Sequence, residues 1–548
     1  MNAPAPAAET IPTPGSTGMP PWEVGPLPDP PSFSWRKWTM FLGPGLVMGA
    51  SAIGGGEWLS GPLVSAKFGG SLFWLATLSI LGQVVYNIEV SRYALYTGEP
   101  IFTGKFRTLP GPMFWLGIYL LLDLGSVLPY LASAGAAPLF AVIHHRIPSA
   151  TAPASSFLGM MLTDAQQIKI LACLIFSSVF IPLTIGGKVY NSMKALMTFK
   201  LITVFGFLIF IAVFYSTWST WGEIVSGFVK FGNLPTGKDG NDPEVTNLFV
   251  SLWNGQGMPN INWAVIGVVA SMAAISGNGG LTNAPMSNYT RDQGWGMGKH
   301  VGAIPSMVGG HAIELSHTGM VFETTPSAMQ RWKGWIGHVT REQLCVWMPA
   351  CFLGLALPSM LSVQFLRGKG LTDKMAAAAA TADGVQEAVG GSFGPMFWYM
   401  TLFCGFLVLA TSMASTADGV LRRWVDVFWT ALPWLRKWDT RHIGKLYFGV
   451  LCIYLLCGLL MLLVIPGENL LTLATGIIYN YALGFSCLHV VAVNTFLLPK
   501  GVRPTLLRRG LLALFGVFFL LVAVMATISD IPKLKAAINE VRGVSTPK

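Results

Sequence analysis

Apolar stretches of about 20 residues recur along the whole chain and alternate with shorter polar links. About 20 mostly apolar residues are enough for one helix to cross the hydrocarbon core of a bilayer. We therefore predict an all-α polytopic membrane protein. Its eleven predicted spans are residues 41–66, 71–97, 113–143, 166–186, 192–216, 262–290, 343–365, 394–425, 445–465, 469–498 and 506–529.

The first span contains a polar interruption, ASAIGGGEWLSGP, at residues 50–62. Each glycine weakens a helix interior by up to ~1 kcal/mol relative to alanine, and a carboxylate at the bilayer centre costs at least ~2.5 kcal/mol. Unwound backbone at this depth is tolerated only where it is buried in protein or lines a cavity. We therefore predict a helix break at Gly54, Gly55 and Gly56, with Glu57 facing that cavity.

A similar interruption, SGNGG at residues 276–280, lies in the sixth span. Its small and polar candidates for a binding site are Ser276, Gly277, Asn278, Gly279 and Asn283. Matching breaks in corresponding positions of two repeats indicate a transporter site. A competing interpretation is that the glycines only allow helices to pack closely.

The two breaks lie five spans apart, and an odd number of crossings reverses the direction of the chain. The pattern therefore predicts two inverted five-helix repeats, at about 41–216 and 262–498, followed by an eleventh helix at about 506–529. Together they form a transmembrane transporter domain at 36–530. Residues 1–35 are rich in proline and alanine and are predicted to form a disordered tail. Residues 531–548 are predicted to form a second tail.

Charge and composition predict the orientation of the chain in the membrane and argue against nucleic acid as a partner. Hydrophobic residues make up 52% of the chain and charged residues only 11%. Most of the 35 Lys and Arg fall in links on the same side as the N-terminus, so the net charge of +10 follows from the positive-inside rule and does not indicate nucleic acid. We expect an integral protein of the bacterial inner (plasma) membrane, with a cytoplasmic N-terminus and an extracytoplasmic C-terminus.

Several segments of the chain resemble the Nramp family of divalent-metal transporters, which has the leucine-transporter-like fold. The first span and its exit read GPGLVMGASAIGGGEW and AKFGGSLFW, the second span ends in SRYALYTG, and the third contains LLLDLGSV. The eighth span holds ATSMASTADG, near a Ser/Thr-rich stretch of the family. The resemblance covers about residues 41–530 and implies a metal transporter whose first and sixth helices are broken.

The departures from the family pattern concern its metal site. In the family's D-P-G-N motif, the Asp position is Gly54 here and the Asn position is Glu57, and SGNGG replaces a Met-Pro-His stretch. The family's third-span Asp, tied to proton movement, matches Asp123, and its tenth-span Gln becomes Thr475. The metal-binding aspartate and the methionine sulfur are therefore missing. Ligands restricted to oxygen suit magnesium, calcium or manganese.

The leading prediction is a secondary transporter that moves a divalent cation, magnesium or manganese, by alternating access with proton coupling. The metal would be held by Glu57 and Asn278, and protons would use Glu57 and Asp123. The full set of predicted substrate-binding residues is Gly54, Gly55, Gly56, Glu57, Ser276, Gly277, Asn278, Gly279, Asn283 and Thr475.

Two other functions stay open. Glu57 could serve only as a proton or coupling-ion site for a non-metal cargo, such as a small anion or an organic solute. The protein could also be an ion channel. No H-E-x-x-H or G-x-x-x-x-G-K-[ST] motif occurs, so we expect neither an enzyme nor an ATP-driven pump, and no cofactor. The expected partners are the transported solute, protons and the lipid bilayer, and the sequence leaves the oligomeric state open.

Other polar groups invite weaker predictions. Two pairs at helical spacing, Glu89 with Arg92 and Asp418 with Arg422, are predicted to be ion pairs. Serines and threonines of the eighth span could line the cavity or only bond to helix backbone. The link at 291–342 carries a His/Glu cluster that could bind a metal or be plain surface: His311, Glu314, His317 and Glu323.

Overall fold

The computed structural model describes residues 18–32, 43–149, 152–185, 187–237, 244–308, 313–367, 374–465 and 468–541. Most of this part of the chain is helical. The helices are α1 Pro44–Ala52, α2 Gly61–Phe68, α3 Trp74–Thr97, α4 Ile101–Arg107, α5 Pro112–Val127, α6 Tyr130–His144, α7 Asp164–Ser178, α8 Phe180–Thr184, α9 Val189–Tyr215, α10 Trp218–Gly227, α11 Leu248–Trp253, α12 Trp263–Ile275, α13 Pro285–Asp292, α14 Gly298–Val301, α15 Pro326–Glu342, α16 Met348–Leu366, α17 Lys374–Val389, α18 Gly394–Ala431, α19 Ile443–Val464, α20 Glu468–Phe496 and α21 Leu506–Val541.

Short strands occur in the links between these helices. They are β1 Glu23–Val24, β2 Ser155–Phe157, β3 Met160–Leu162, β4 Asn233–Thr236, β5 Glu244–Asn247 and β6 Met320–Val321. Strands β2 and β3 form one antiparallel hairpin, and β4 and β5 pair antiparallel across a link. Strand β1 pairs in parallel with β6, which brings the N-terminal segment against a distant link.

Eight helical segments of the described chain are long and apolar enough to cross a membrane. They correspond to the third, fourth, fifth and seventh to eleventh predicted spans, and their mean hydropathy ranges from 1.5 to 2.8. The other three predicted spans contain α1 and α2, α3, and α12 and α13. The spans of α1 with α2 and of α12 with α13 are shortened by their breaks. Helix α3 is long enough but less apolar, because it carries polar side chains that are buried inside the protein: Gln83, Asn87, Glu89 and Arg92.

The first span is broken where its sequence predicts a break. Helix α1 ends at Ala52, and Ile53 takes a non-helical ψ of 88° before the chain re-enters a helical path. Residues Gly56–Ser60 form a π-helical turn that leads into α2. Pi-helical turns inside α-helices are frequent at functional sites.

The sixth span is broken over a longer stretch. Helix α12 ends at Ile275, and α13 begins at Pro285. Between them Gly277 and Gly280 take positive φ angles of 93° and 61°, which favour glycine because it has no Cβ. The ring of Pro285 suits the first turn of a helix, where its missing N–H costs nothing.

The helices form two inverted units of five spans each, followed by α21. The first unit contains α1 to α9 and the second contains α12 to α20, and each begins with a broken helix. Helix α12 packs against α20, α21 and the π-helical turn of the first span, while α18 packs against α6 and α9. This arrangement brings the two breaks together in the protein interior.

The third span differs from the single helix expected at 113–143. It consists of α5 and α6, which are separated at Leu128 and Pro129. Proline lacks an N–H and its ring collides with the preceding turn, so it ends or kinks a helix.

The two predicted tails are more ordered than expected where the structure describes them. Residues 18–32 pack against the protein, with Met19 and Leu27 buried and Gly25 N–H bonded to the carbonyl of Val321 at 2.9 Å. At the other end, α21 continues to Val541, beyond its predicted end at 529. Low hydrophobicity predicts disorder only for a segment without a partner surface, and here links of the same chain supply one.

Candidate functional site

A small cavity lies between the two breaks. The first break lines it with Gly54, Gly55, Gly56 and Glu57, and the sixth with Gly277, Asn278, Gly279 and Thr282. Its volume is about 30 Å³, room for one or two water-sized particles. The other polar groups that line it are Ser51, Tyr130, Ser412, Thr416 and Tyr479.

The carboxylate of Glu57 joins the two breaks. Its Oε2 accepts a hydrogen bond from Gly54 N–H at 3.0 Å, and its Oε1 accepts one from Gly277 N–H at 2.9 Å. The side chain is fully buried. Broken helices leave N–H groups without intrahelical partners, and here one carboxylate serves a donor from each repeat. The acidic residue therefore faces the protein interior, as its sequence context predicts.

Gln83 of α3, a residue that the sequence analysis did not single out, shapes the sixth break. Its Nε2 donates to the carbonyl of Ser276 at 2.7 Å, and its Oε1 accepts from Asn278 N–H at 2.8 Å. Asn283 Nδ2 donates to the same oxygen at 2.6 Å and to the carbonyl of Asn278 at 2.7 Å. Ser276 and Asn283 thus lie behind the cavity wall and hold its shape, while Asn278 faces the cavity.

The Asn278 side chain also has fixed partners. Its Oδ1 accepts a hydrogen bond from Trp347 Nε1 at 3.1 Å, and its Nδ2 lies 3.4 Å from Ser51 Oγ. Ser415 Oγ donates to the same Ser51 Oγ at 2.7 Å. This network connects the first, sixth and eighth spans and the turn before α16 at one point.

A buried lysine reaches the first break from the fifth span. Lys200 of α9 is fully buried, and its Nζ donates to Ser412 Oγ at 2.7 Å. Ser412 Oγ also lies 3.1 Å from the carbonyl of Ile53, inside the break. A cation deep in a membrane domain is costly and marks a functional position. The sequence signal is present, because Lys194 and Lys200 are the two charges of the apolar span at 192–216 and Lys200 lies further into it.

Thr475 and Asp123, two of the predicted residues, lie away from this cavity. Thr475 is buried in α20 and does not line it. Asp123 forms a buried ion pair with Arg423 of α18, with Oδ1 2.6 Å from Nη2, and also accepts from Trp424 Nε1 at 3.0 Å. The carboxylate of Asp123 therefore has fixed partners in this conformation, and its part in proton movement stays a prediction.

The two predicted ion pairs are confirmed. Glu89 and Arg92 are joined at 2.8 Å, as are Asp418 and Arg422. The second pair belongs to a larger buried network between α13 and α18, because Arg422 also bonds Asp292. Arg291 adds a further ion pair to Asp426 in the same network.

The His/Glu cluster of the link at 291–342 shows ordinary surface contacts. His311 lies outside the described residues, and those described contain no group of three His, Cys, Asp or Glu that could hold a metal. Glu314 pairs with Arg441 at 2.8 Å, a hydrogen bond that lowers the pKa of this exposed carboxyl. His317 stacks on Trp429 at a centroid distance of 4.0 Å.

The chain contains one G-x-S-x-G sequence, GGSFG at residues 390–394. In hydrolases this motif places its serine on a sharp turn between a strand and a helix. Here the preceding element is helix α17, and Ser392 lies in an exposed turn before α18. The local structure is not that of a nucleophile elbow.

Two helices broken at the centre of inverted five-helix repeats define the leucine-transporter-like fold, an architecture of secondary transporters. Solved structures match this fold. A manganese transporter of Eremococcus coleocola, crystallised with an aromatic bis-isothiourea substituted compound, matches with a TM-score of 0.54 and 14% identity, over 98% of this chain and 100% of that chain.

Two variants of the same transporter match with a TM-score of 0.56 and 12% identity, over 97% of this chain and 99% of theirs. No family model matches the chain, and no curated protein matches its sequence. At such low identities the likeness shows the fold.

Proposed function

We propose that the protein is a secondary transporter that works by alternating access and binds its cargo between the two helix breaks. The observation that carries this proposal is the position of Glu57, which bonds the backbone of both repeats across the cavity. Alternating access moves one repeat or bundle against the other around such a site. A group that joins the two breaks would couple cargo binding to that movement.

The cargo that fits this cavity best is a small divalent cation, magnesium or manganese. A volume of about 30 Å³ excludes an organic solute from this conformation. The residues that line the cavity offer carboxylate, amide, hydroxyl and carbonyl oxygens as metal ligands. Hard cations prefer such oxygen ligands. The likeness to a manganese transporter supports this choice of cargo.

Glu57 and Asn278 are the side chains we assign to the metal, with carbonyls of the breaks completing its shell. A cavity of about 30 Å³ leaves room for the cation and little water, so the carboxylate, the Asn278 amide and backbone carbonyls would supply most of its shell in this conformation. Glu57 would also carry the coupled proton, since a carboxylate that binds a cation in one state can bind a proton in another.

A non-metal cargo is the second candidate, and Lys200 favours it. Both oxygens of Glu57 already accept hydrogen bonds, and a buried ammonium lies one hydroxyl away from the first break. The two N–H donors on Glu57 and the ammonium of Lys200 both offset the negative charge that would bind a divalent cation. Glu57 would then act as a proton or coupling-ion site for a small anion or another small solute.

Uptake into proteoliposomes tests the proposal. We expect wild-type protein to accumulate Mg²⁺ or Mn²⁺ and Glu57→Gln to lose at least tenfold in rate, because Gln keeps the size but removes the charge that a metal binds. The matched control is Glu323→Gln, which removes an exposed carboxylate from a link and should transport normally. Wild-type rates in Glu57→Gln would contradict the assignment of Glu57.

A substrate panel separates the candidates. Uptake of small anions without metal uptake would support the second candidate, and current far above carrier turnover would indicate a channel.

A further inference from the structure

The link at 217–261, between the fifth and sixth predicted spans, contains a helix with little polarity on either face. Helix α10 buries Ile224 against the protein, and its one charged residue, Glu223, pairs with Arg367. The exposed residues of α10 are all uncharged: Trp218, Ser219, Gly222 and Val225. Trp218 is 89% exposed. A helix face that meets water normally carries charged and polar side chains, so this face is poorly suited to water.

The short helix α11 of the same link has its polar side turned inward. Its exposed side chains are all large and apolar: Phe249, Val250, Leu252 and Trp253. Trp253 is 91% exposed. Its single polar residue, Ser251, is buried and donates to the carbonyl of Gly257 at 2.8 Å. Contiguous exposed apolar surface of this kind marks contact with a membrane or with another protein.

Helix α10 lies beside a membrane-spanning helix and not above it. Thr220 Oγ1 donates to Gln364 Oε1 at 2.8 Å, near the C-terminal end of α16. Further along the link, Phe228 packs edge-on against Phe352, with ring centroids 5.1 Å apart. Phe352 precedes Gln364 by 12 residues, a rise of about 18 Å along a helix. Helix α10 therefore runs antiparallel to α16 and extends well below its end.

The exposed face of α10 also continues the apolar surface of the fifth span. Val213 and Phe214 lie in the last turn of α9, a helix long and apolar enough to cross the membrane, and both are exposed. Only Ser216 and Thr217 separate α9 from α10. Trp218 therefore lies at the level where the span ends, and tryptophan is enriched at that membrane–water interface.

We propose that α10 and α11 are embedded in the bilayer, in the leaflet at the C-terminal end of α16, and that their exposed apolar side chains contact lipid. The depth of α10 beside α16 and its continuity with the lipid-facing surface of α9 favour lipid over a protein partner. The positive-inside pattern predicts that this leaflet is the extracytoplasmic one.

The embedded link also holds the ends of the helices next to it. Thr77 Oγ1 of the second span donates to the carbonyl of Phe228 at 2.7 Å. The N–H of Asn262, at the start of α12, donates to the carbonyl of Pro235 at 2.9 Å. The link thereby anchors the second span and the first half of the broken sixth span to the bilayer.

Photolabelling of the wild-type protein in proteoliposomes tests the assignment. A phosphatidylcholine with a diazirine in its acyl chain should label peptides at 218–229 and 249–253 as strongly as the peptide at 202–214 of α9. The exposed, polar segment around Lys299 and His300 is the control and should stay unlabelled. A water-soluble diazirine should give the reverse pattern.

Labelling of 218–229 and 249–253 by the water-soluble reagent alone would overturn the proposal. Protection of both segments from both reagents would also overturn it, and would assign their apolar faces to a second copy of the chain.

A charge placed on the exposed face gives a second test. Val225→Lys should lower the recovery of membrane-inserted protein about tenfold or more, because a charged side chain in lipid is costly. Glu244→Lys, at an exposed position of β5 in the same link, is the matched control and should be recovered like the wild type. Equal recovery of the two variants would contradict lipid contact at Val225. Neither experiment measures transport, so both are independent of the proposed cargo.

Discussion

Gly277 shows how one residue sets the geometry of the sixth break. Its φ of 93° lies where L side chains are strained, and a Cβ built there would be 2.8 Å from Gln83 Oε1 and 3.1 Å from the Trp347 ring. Both neighbours hold the loop through hydrogen bonds, so they cannot move without loosening it. The glycine also presents the N–H that binds Glu57. Its identity is therefore required by the backbone conformation and by the lack of space for a Cβ.

We expect Gly277→Ala to lower the stability of the folded protein by at least about 1 kcal/mol. The cost of the backbone strain and the cost of the close contact between the new Cβ and Gln83 sum. Transport should fall with it, since the N–H that faces Glu57 moves. The measurements are the thermal midpoint in detergent and uptake in proteoliposomes.

Gly206→Ala is the control for this substitution, because Gly206 lies in helix α9 with nothing within 4 Å of the added Cβ. It should leave transport unchanged and add up to ~1 kcal/mol of helix stability. Equal behaviour of the two variants would mean that the break tolerates side chains.

Lys200 is a second residue whose role can be tested by a single substitution. Lys200→Met keeps the length of the side chain but removes the ammonium that donates to Ser412. A hydrogen bond to a charged group is worth about 1.5–3 kcal/mol, so its loss should loosen the first break around Ser412, and we expect uptake of the non-metal cargo that Lys200 favours to fall tenfold or more. Lys445→Met, at an exposed position, serves as the control. Full uptake by Lys200→Met would show that the buried ammonium has no part in transport.

At the scale of helices, α13 is held to α18 by buried ion pairs. Arg422 bonds Asp292 of α13 and Asp418 of its own helix, and Arg291 bonds Asp426. Tyr289 and Tyr447 also donate to Asp418. Helix α13 is the second half of the sixth span, which alternating access would move, so this network holds it in the conformation described here.

Arg422→Gln should destabilise the protein by about 3–5 kcal/mol, because it leaves buried carboxylates without their partner. The thermal midpoint in detergent measures this loss. Adding Asp418→Asn to Arg422→Gln should recover part of it, since Asp418 otherwise bonds two tyrosine hydroxyls, whereas Asp292 still pairs with Arg291. Arg441→Gln removes an exposed ion pair with Glu314 and should cost less than about 1 kcal/mol. If the double variant is no more stable than Arg422→Gln, Asp418 and Arg422 are not coupled.

The elements and the breaks could be predicted from the sequence because they depend on local properties. Apolar length defines a span, and glycine runs with a carboxylate define a break. The partners of the breaks could not be predicted, because they come from remote helices. Gln83 is about 195 residues from Asn278, and Asp123 is 300 residues from Arg423. The position of Thr475 outside the cavity reflects the same limit, since its motif match carries no information on packing.

At the scale of the whole molecule, residues 18–32 tie together links that are far apart in sequence. Strand β1 pairs with β6, and Pro28 accepts a hydrogen bond from Trp335 at 2.9 Å. Arg107 donates to the carbonyl of Pro20 at 2.6 Å. The segment therefore connects α4, α15 and the strand of the intervening link.

Deletion of residues 2–32 should lower the thermal midpoint, because it exposes the apolar surface around Tyr93 and Tyr96 that Trp22 covers. Deletion of residues 2–17 leaves every contact named for this segment in place and should have no such effect. A scan of both truncations in the same detergent distinguishes them. Equal midpoints would mean that the segment packs without contributing to stability.

The carboxylate of Glu57 has two hydrogen-bond partners, the backbone amides of Gly54 and Gly277 from opposite halves of the molecule. The divalent cation that we propose as cargo would have to compete with these amides, and the release of their N–H groups would offset part of what it gains from the carboxylate. Under this proposal, the net affinity for the cation would be weak and its release would be rapid. Cargo binding and separation of the two repeats would then occur together. The same two hydrogen bonds would disfavour movement of the repeats when no cargo is bound.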